Sequence, residues 1–216
     1  MKEKYIKTNI SKNTIMSTSG YHRYEIVNKN INLLEGKSNQ NLKFSLIKPI
    51  LYNILNDTKD TLTVTDLGAS NGLYSFYCAL NGAKFVNSIE KGDEKCGGGN
   101  SLNILNKNIS RNNIQNIKVH DVDIINYTEK SDVVIALAII HHLMDNFKNL
   151  NELISFIGNL TEKYLIIEWI GHGHFIEKKN VNLDIFLKEL NNNFHSVEKI
   201  GQSRYDKLRY VYLCKK

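Results

Sequence analysis

"TLTVTDLGASNGLYSFYCALNG", residues 61–82, decides the fold. Its first seven residues are apolar and β-branched up to an acid, a pattern that predicts a buried strand. Asp66 and Leu67 close that strand, and Gly68, Ser70 and Gly72 follow in alternation. "GLYSFYCALNG" then predicts a helix stopped by Gly82, since glycine suits the left-handed turn that ends many helices. A strand-to-helix loop of this kind has two readings. One is a plain tight turn. The other is a loop that lets its backbone approach a ligand and offers it the N–H groups of the helix start.

The chain on either side of this stretch argues for the ligand reading. Downstream, "AKFVNSIE", "NIKVHDVDI", "DVVIALAII" and "KYLIIEWI" read as strands. "NSLNILNKNISRNN", "NLNELISFIGNL" and "NLDIFLKELNNN" read as helices between or after them. "HSVEKIG" and "LRYVYLCKK" follow with no helix between, so they predict a closing hairpin. The expected fold is α/β, a doubly wound and mostly parallel seven-stranded sheet. It has a C-terminal antiparallel strand pair and helices on both faces. In such sheets ligands bind at the carboxyl ends of the strands.

Upstream the pattern is weaker. Residues 1–20 are polar without a period and predict a mobile N-terminal arm. Residues 21–60 predict a helical segment. In it, Tyr21 to Leu34 carries Ile26, Ile31, Leu33 and Leu34 as apolar members, and "LKFSLIKPILYNILN" is a helix kinked or restarted near Pro49. The domain proper is residues 61–216.

Composition narrows the class further. The chain has 216 residues, 42% hydrophobic and 23% charged, enough to bury a core in one domain. The longest apolar run, "VVIALAII", is too short to cross a bilayer, and the lysine-bearing start has no apolar signal core. Cys78, Cys96 and Cys214 are odd in number and far apart, which predicts a reducing, cytoplasmic setting and no disulfide framework. The net charge of +6 and pI near 9.0 would help a polyanionic partner, though the lysines are scattered.

The loop is not a Walker sequence, because no Gly-Lys-Ser/Thr ends it, and Leu73 stands where a dinucleotide loop has its third glycine. "DLGASNG" instead resembles the first motif of the class I S-adenosylmethionine-dependent methyltransferases, an acid followed by G-x-G-x-G, with Ser70 in the middle place. The likeness extends over about Thr61 to Lys216, through the order of elements and the terminal strand pair.

The resemblance implies S-adenosyl-L-methionine as cofactor. It implies that Gly68, Ala69, Ser70 and Gly72 hold its methionine end, and that Asp66 orients the loop or receives the amino group. Glu90, ending the second strand, would accept both ribose hydroxyls. Asp121, or else Asp123, would accept the adenine amino group, with Val122 against the ring.

Methyl transfer needs an acceptor held in line and, where a proton is lost, a base. Groups beyond the fourth and fifth strands are the candidates: His141, His142 and Glu168 as catalytic residues, with Trp169, His172, His174 and Phe175 alongside. One histidine can equally anchor the loop backbone. His142, Glu168, His172 and His174 offer nitrogen and oxygen ligands and leave a metal reading open for the RNA alternative, but the Glu-x-x-Glu-His pattern of metal-dependent RNA-end methyltransferases is missing, so no metal residue is assigned. The expected activity is methyl transfer to an oxygen or nitrogen of a small-molecule acceptor. RNA methylation is the alternative, and a methyltransferase-like binding protein without catalysis is a third reading. No membrane partner is expected, and the sequence leaves the oligomeric state open.

Overall fold

The computed structural model describes residues 15–17, 22–27, 30–34, 40–57, 61–92, 100–171, 181–204 and 208–216. Ten strands and six α-helices lie among them. The N-terminal strands are β1 (Ile15–Ser17), β2 (Tyr24–Val27) and β3 (Asn30–Leu33), followed by helix α1 (Gln40–Asp57). Then come β4 (Thr63–Leu67), α2 (Leu73–Leu80), β5 (Phe85–Glu90), α3 (Ser101–Arg111) and β6 (Ile117–Asp121). The rest is β7 (Ser131–Ala136), α4 (Ile140–Leu143), α5 (Leu150–Leu160), β8 (Thr161–Ile170), α6 (Leu183–Asn193), β9 (Ser196–Arg204) and β10 (Arg209–Lys215).

The seven-stranded sheet has the order β6-β5-β4-β7-β8-β10-β9. Neighbours are parallel from β6 to β8, and β10 runs antiparallel to both β8 and β9. This is the predicted doubly wound sheet with its terminal antiparallel pair. Strand β7 explains why the central run is apolar throughout. Val133 and Ile135 enter the core under α1 and α2, while Val134 and Ala136 enter the core under α5 and α6. A strand covered on both faces has no solvent side on which to alternate.

Two expectations for the N-terminal region are corrected. Tyr21 to Leu34 is not helical over its described residues: β2 and β3 form an antiparallel hairpin, with Ile26 directly opposite Ile31. The two isoleucines share a core by cross-strand pairing, and their spacing of five fits no helical face. The expected arm is also not structureless at Ile15–Ser17, because β1 pairs with β2; its other residues lie outside the described ones. Helix α1 passes through Pro49 as a single element. Phe44, Ile47, Leu51 and Leu55 bury its inner face, and that packing offsets the backbone N–H hydrogen bond the proline cannot make.

Candidate functional site

The order reversal between β5 and β7 on either side of β4 opens a crevice at the carboxyl end of β4, where open α/β sheets place ligands. The predicted loop lies there. Gly68, Ser70 and Gly72 all have left-handed backbone, with φ of 70°, 52° and 88°. For Ser70, a residue with a Cβ, that conformation is costly by roughly 1–2 kcal/mol. Hydrogen bonds to the end of β5 hold the loop down. The amides of Gly68 and Ala69 both donate to the Ile89 carbonyl, at 2.9 and 3.0 Å. The amide of Ser70 donates to Glu90 Oε2 at 2.8 Å, which ties the strained residue to the last position of the strand.

Glu90 therefore has two faces. One oxygen secures the loop, and Oε1 carries no hydrogen bond among the described residues. Burial raises the Glu90 pKa, and the Ser70 N–H opposes the rise. A carboxylate with one oxygen available at this rim suits a pair of neighbouring hydroxyl donors.

Asp66 is buried more deeply. Its Oδ2 accepts from Ser75 Oγ at 2.7 Å, and Ser75 Oγ accepts in turn from Ser88 Oγ at 2.8 Å. Burial pushes the Asp66 carboxyl up to about 6, the Ser75 hydroxyl pulls it back, and the Glu90 charge adds to the rise. The acid that ends β4 thus ties the strand to the start of α2.

Asp121 ends β6 in register with Glu90. Its Oδ1 accepts from the amide of Gly92 at 2.9 Å. Asp123 is engaged elsewhere, since it caps the short turn at Ile125 and pairs with Lys91 at 3.3 Å. Val122, between them, is 37% exposed, an apolar surface available to a ring.

The loop after β7 closes the crevice from the other side. Ala138 has φ 53°, and is, like Ser70, a non-glycine residue in the left-handed region. Ile139 beside it fills the space over Gly68: a Cβ at Gly68 would lie 2.7 Å from Ile139 Cδ1. The first glycine of the motif therefore permits contact between the two loops. His141 and His142 sit on α4, their rings 3.9 Å apart and tilted by 39°. Burial lowers the His142 pKa from the usual histidine value, which keeps the ring neutral and able to accept a proton at pH 7.

Glu168 is fully buried and engaged on both oxygens. Lys43 of α1 pairs with Oε2 at 2.7 Å, and Ser203 of β9 donates to Oε1. Its role in the fold is to join α1, β8 and β9. His172, His174 and Phe175 lie outside the described residues. Among the described residues, no group of three or more His, Cys, Asp or Glu is arranged to hold a metal ion.

Sequence reasoning missed the N-terminal hairpin's contact with the loop. Tyr24 Oη donates to the Asn71 carbonyl at 2.6 Å, and Asn71 Nδ2 donates to the His22 carbonyl. The His22 ring meets Tyr74 edge-on at 6.1 Å, and burial, helped by the nearby Lys43 charge, lowers its pKa to about 3. Asn71, inside the glycine motif, was the available signal: a buried amide needs partners, and the described ones, Tyr24 and His22, lie in the N-terminal hairpin region.

Strand order, left-handed loop and strand-end acid together match the Rossmann-like fold seen in solved class I S-adenosylmethionine-dependent methyltransferases. The chain is similar to a magnesium protoporphyrin IX methyltransferase from Synechocystis PCC 6803 with bound SAH, with TM-score 0.63, 16% identity, and 88% of this chain and 90% of that one covered. It is also similar to a ribosomal protein L11 methylase from Lactobacillus delbrueckii subsp. bulgaricus, with TM-score 0.52, 19% identity and 79% of each chain covered. A precorrin-6y methyltransferase from Geobacter metallireducens GS-15 gives TM-score 0.53 and 13% identity, over 79% of this chain and 88% of that one. No protein-family model and no curated protein matches the sequence. No helix among the described residues is long and apolar enough to cross a membrane.

Proposed function

We propose that the chain transfers the methyl group of S-adenosylmethionine to an oxygen or nitrogen of a small-molecule acceptor. The observation that carries this reading is Glu90. It holds the left-handed Ser70 amide with one oxygen and leaves the other for a ligand at the switch point of the sheet.

In this reading the cofactor supplies a methyl group on a sulfonium that leaves without protonation. Gly68 to Gly72 line its methionine end, Glu90 accepts from the ribose, and Asp121 with Val122 takes the adenine. Asp66 stabilises the loop through Ser75. The acceptor lies over the ends of β7 and β8, where His142, or His141 beside it, takes up a proton if one is lost. Glu168 acts by fixing Lys43 and Ser203, and the residues suit an enzyme working by orientation and proton removal.

The test is label transfer from methyl-labelled S-adenosylmethionine into a metabolite extract and into total RNA. Label in a small molecule supports the reading. The net charge of +6 favours RNA as the second reading, and label there would replace the first. No labelled product would leave a binding protein.

A further inference from the structure

The loop from Gly68 to Gly72 is held in two halves. Its first half hangs on the end of β5, through the Ile89 carbonyl and Glu90. Its second half is held by the N-terminal hairpin. The Tyr24 hydroxyl donates to the Asn71 carbonyl at 2.6 Å, and Asn71 Nδ2 donates to the carbonyl of His22. The peptide joining Asn71 to Gly72 is thereby fixed at both ends, since its N–H donates to the Ala69 carbonyl at 2.9 Å. That bond closes the turn in which Ser70 is left-handed, and Gly72 beyond it is left-handed as well. Strained backbone of this kind persists where its surroundings over-determine it.

Packing does not require the Tyr24 hydroxyl. The ring is fully buried beside Phe76, with 6.4 Å between centroids, and a phenylalanine would fill the same space. The hydroxyl adds a desolvation cost, which its bond to the Asn71 carbonyl offsets. Burial, with the Asp66 charge, holds the phenol well above its usual pKa, so it stays protonated and remains a donor. Tyr24 also stands in the middle of the three-stranded sheet, opposite Ser17 of β1 on one side and Leu33 of β3 on the other. Strands of three and four residues have little stability of their own and depend on docking. The His22 ring, two residues earlier, sits edge-on to Tyr74 in the first turn of α2. The hairpin therefore grips both the loop and the helix that the loop opens into.

We propose that Tyr24 and Asn71 are positioning residues for the cofactor: the hairpin, through the Tyr24 hydroxyl, fixes the Asn71–Gly72 peptide, so that hairpin docking and S-adenosylmethionine binding strengthen each other. This rests on the methyltransferase reading, which names the ligand. Coupling between two equilibria is reciprocal. Whatever factor the docked hairpin adds to cofactor affinity, the cofactor adds to hairpin docking. The site so defined includes a residue 47 positions before the loop.

The test is calorimetric titration of the full chain with S-adenosylhomocysteine, at a temperature where circular dichroism shows every variant folded. Hydrogen exchange of the β2 and β3 amides is followed with and without the ligand. Tyr24→Phe keeps the ring and removes the tie, and its Kd should rise about 5-fold or more over wild type. Asn71→Ala keeps the carbonyl for Tyr24, removes the tie to His22, and should also bind more weakly; it decides the question if Tyr24→Phe does not fold. Ile157→Val trims the core under α5, on the other face of the sheet, and should lower the unfolding midpoint with Kd unchanged. In the wild type, saturating ligand slows exchange in the hairpin, and in Tyr24→Phe that slowing shrinks. Unchanged Kd in both Tyr24→Phe and Asn71→Ala overturns the proposal. So does an equal loss of affinity in Ile157→Val, which would make the effect one of general stability. Hairpin exchange that the ligand leaves unaltered in the wild type overturns it as well. A wild type that binds no S-adenosylhomocysteine overturns the methyltransferase reading, and the proposal falls with it. Equal binding by the wild type and both hairpin-contact variants overturns the proposal alone, so the two failures are distinguishable.

Discussion

Replacing Asp66 by Asn changes the pH dependence of stability in a way the structure specifies. The folded-state pKa is near 6 because the carboxyl is buried, against an unfolded value of 3.8. Between these values the folded protein binds more protons than the unfolded one, so this group's contribution to stability falls as pH rises through about 4 to 6 and then levels off. A shift of two units corresponds to about 3 kcal/mol at 1.36 kcal/mol per unit, taken as an order of magnitude. Asn keeps an acceptor for Ser75 and has no charge to bury. The stability difference, Asp66→Asn minus wild type, should therefore grow by up to about 3 kcal/mol from pH 4 to pH 7. The fixed cost of the substitution cancels in that comparison. Urea denaturation of both proteins across the range measures it. A difference that stays constant with pH would refute the placement of Asp66 as a buried acid held by Ser75.

Three further outcomes are expected. Glu90→Ala strands the Ser70 amide and removes the acceptor at the rim, so S-adenosylhomocysteine affinity should fall by ~1–3 kcal/mol, about 5- to 150-fold in Kd; calorimetry that finds Kd unchanged moves the ribose elsewhere. Ser70→Gly relieves the left-handed backbone at φ 52° and gives up only a 3.3 Å hydroxyl contact with Ser101, so the variant should be at least as stable as wild type in denaturant and keep its cofactor affinity. If His142 or His141 removes the acceptor proton, its alanine variant should keep cofactor affinity and lose turnover by ~10²–10⁴-fold. If His142 is the base, the wild-type rate should also drop only at a pH below the usual histidine range, because burial lowers its pKa. Full rates in both folded variants across that range would exclude the base.

The parts of this fold that are local in sequence were legible. The alternation to Asp66, the glycine spacing and the stop at Gly82 are all written within residues 61–82. The continuous apolar run of β7 announces burial on two faces, and the absence of a helix between β9 and β10 announces their hairpin. Glu90 was legible because a strand end is a local feature. What was not legible depends on distant partners. Tyr24 is buried in the core and its hydroxyl finds its partner in Asn71, 47 residues away, and β2 and β3 carry too short a pattern to be read alone. Glu168 looked like a rim acid beside the histidines, but Lys43 claims it from 125 residues away. The irregularity of β9 against β10 arises from their register, which periodicity alone does not specify.

The central claim is that the loop from Gly68 to Gly72, with Glu90, is a site for S-adenosylmethionine. Calorimetric titration of the wild-type chain with S-adenosylhomocysteine, beside the same titration of Glu90→Ala and a parallel titration with NAD, tests it most directly. Saturable binding to the wild type in the micromolar range or tighter, weaker binding to the variant and no heat with NAD are expected. Silence with S-adenosylhomocysteine together with clear heat from NAD would contradict it.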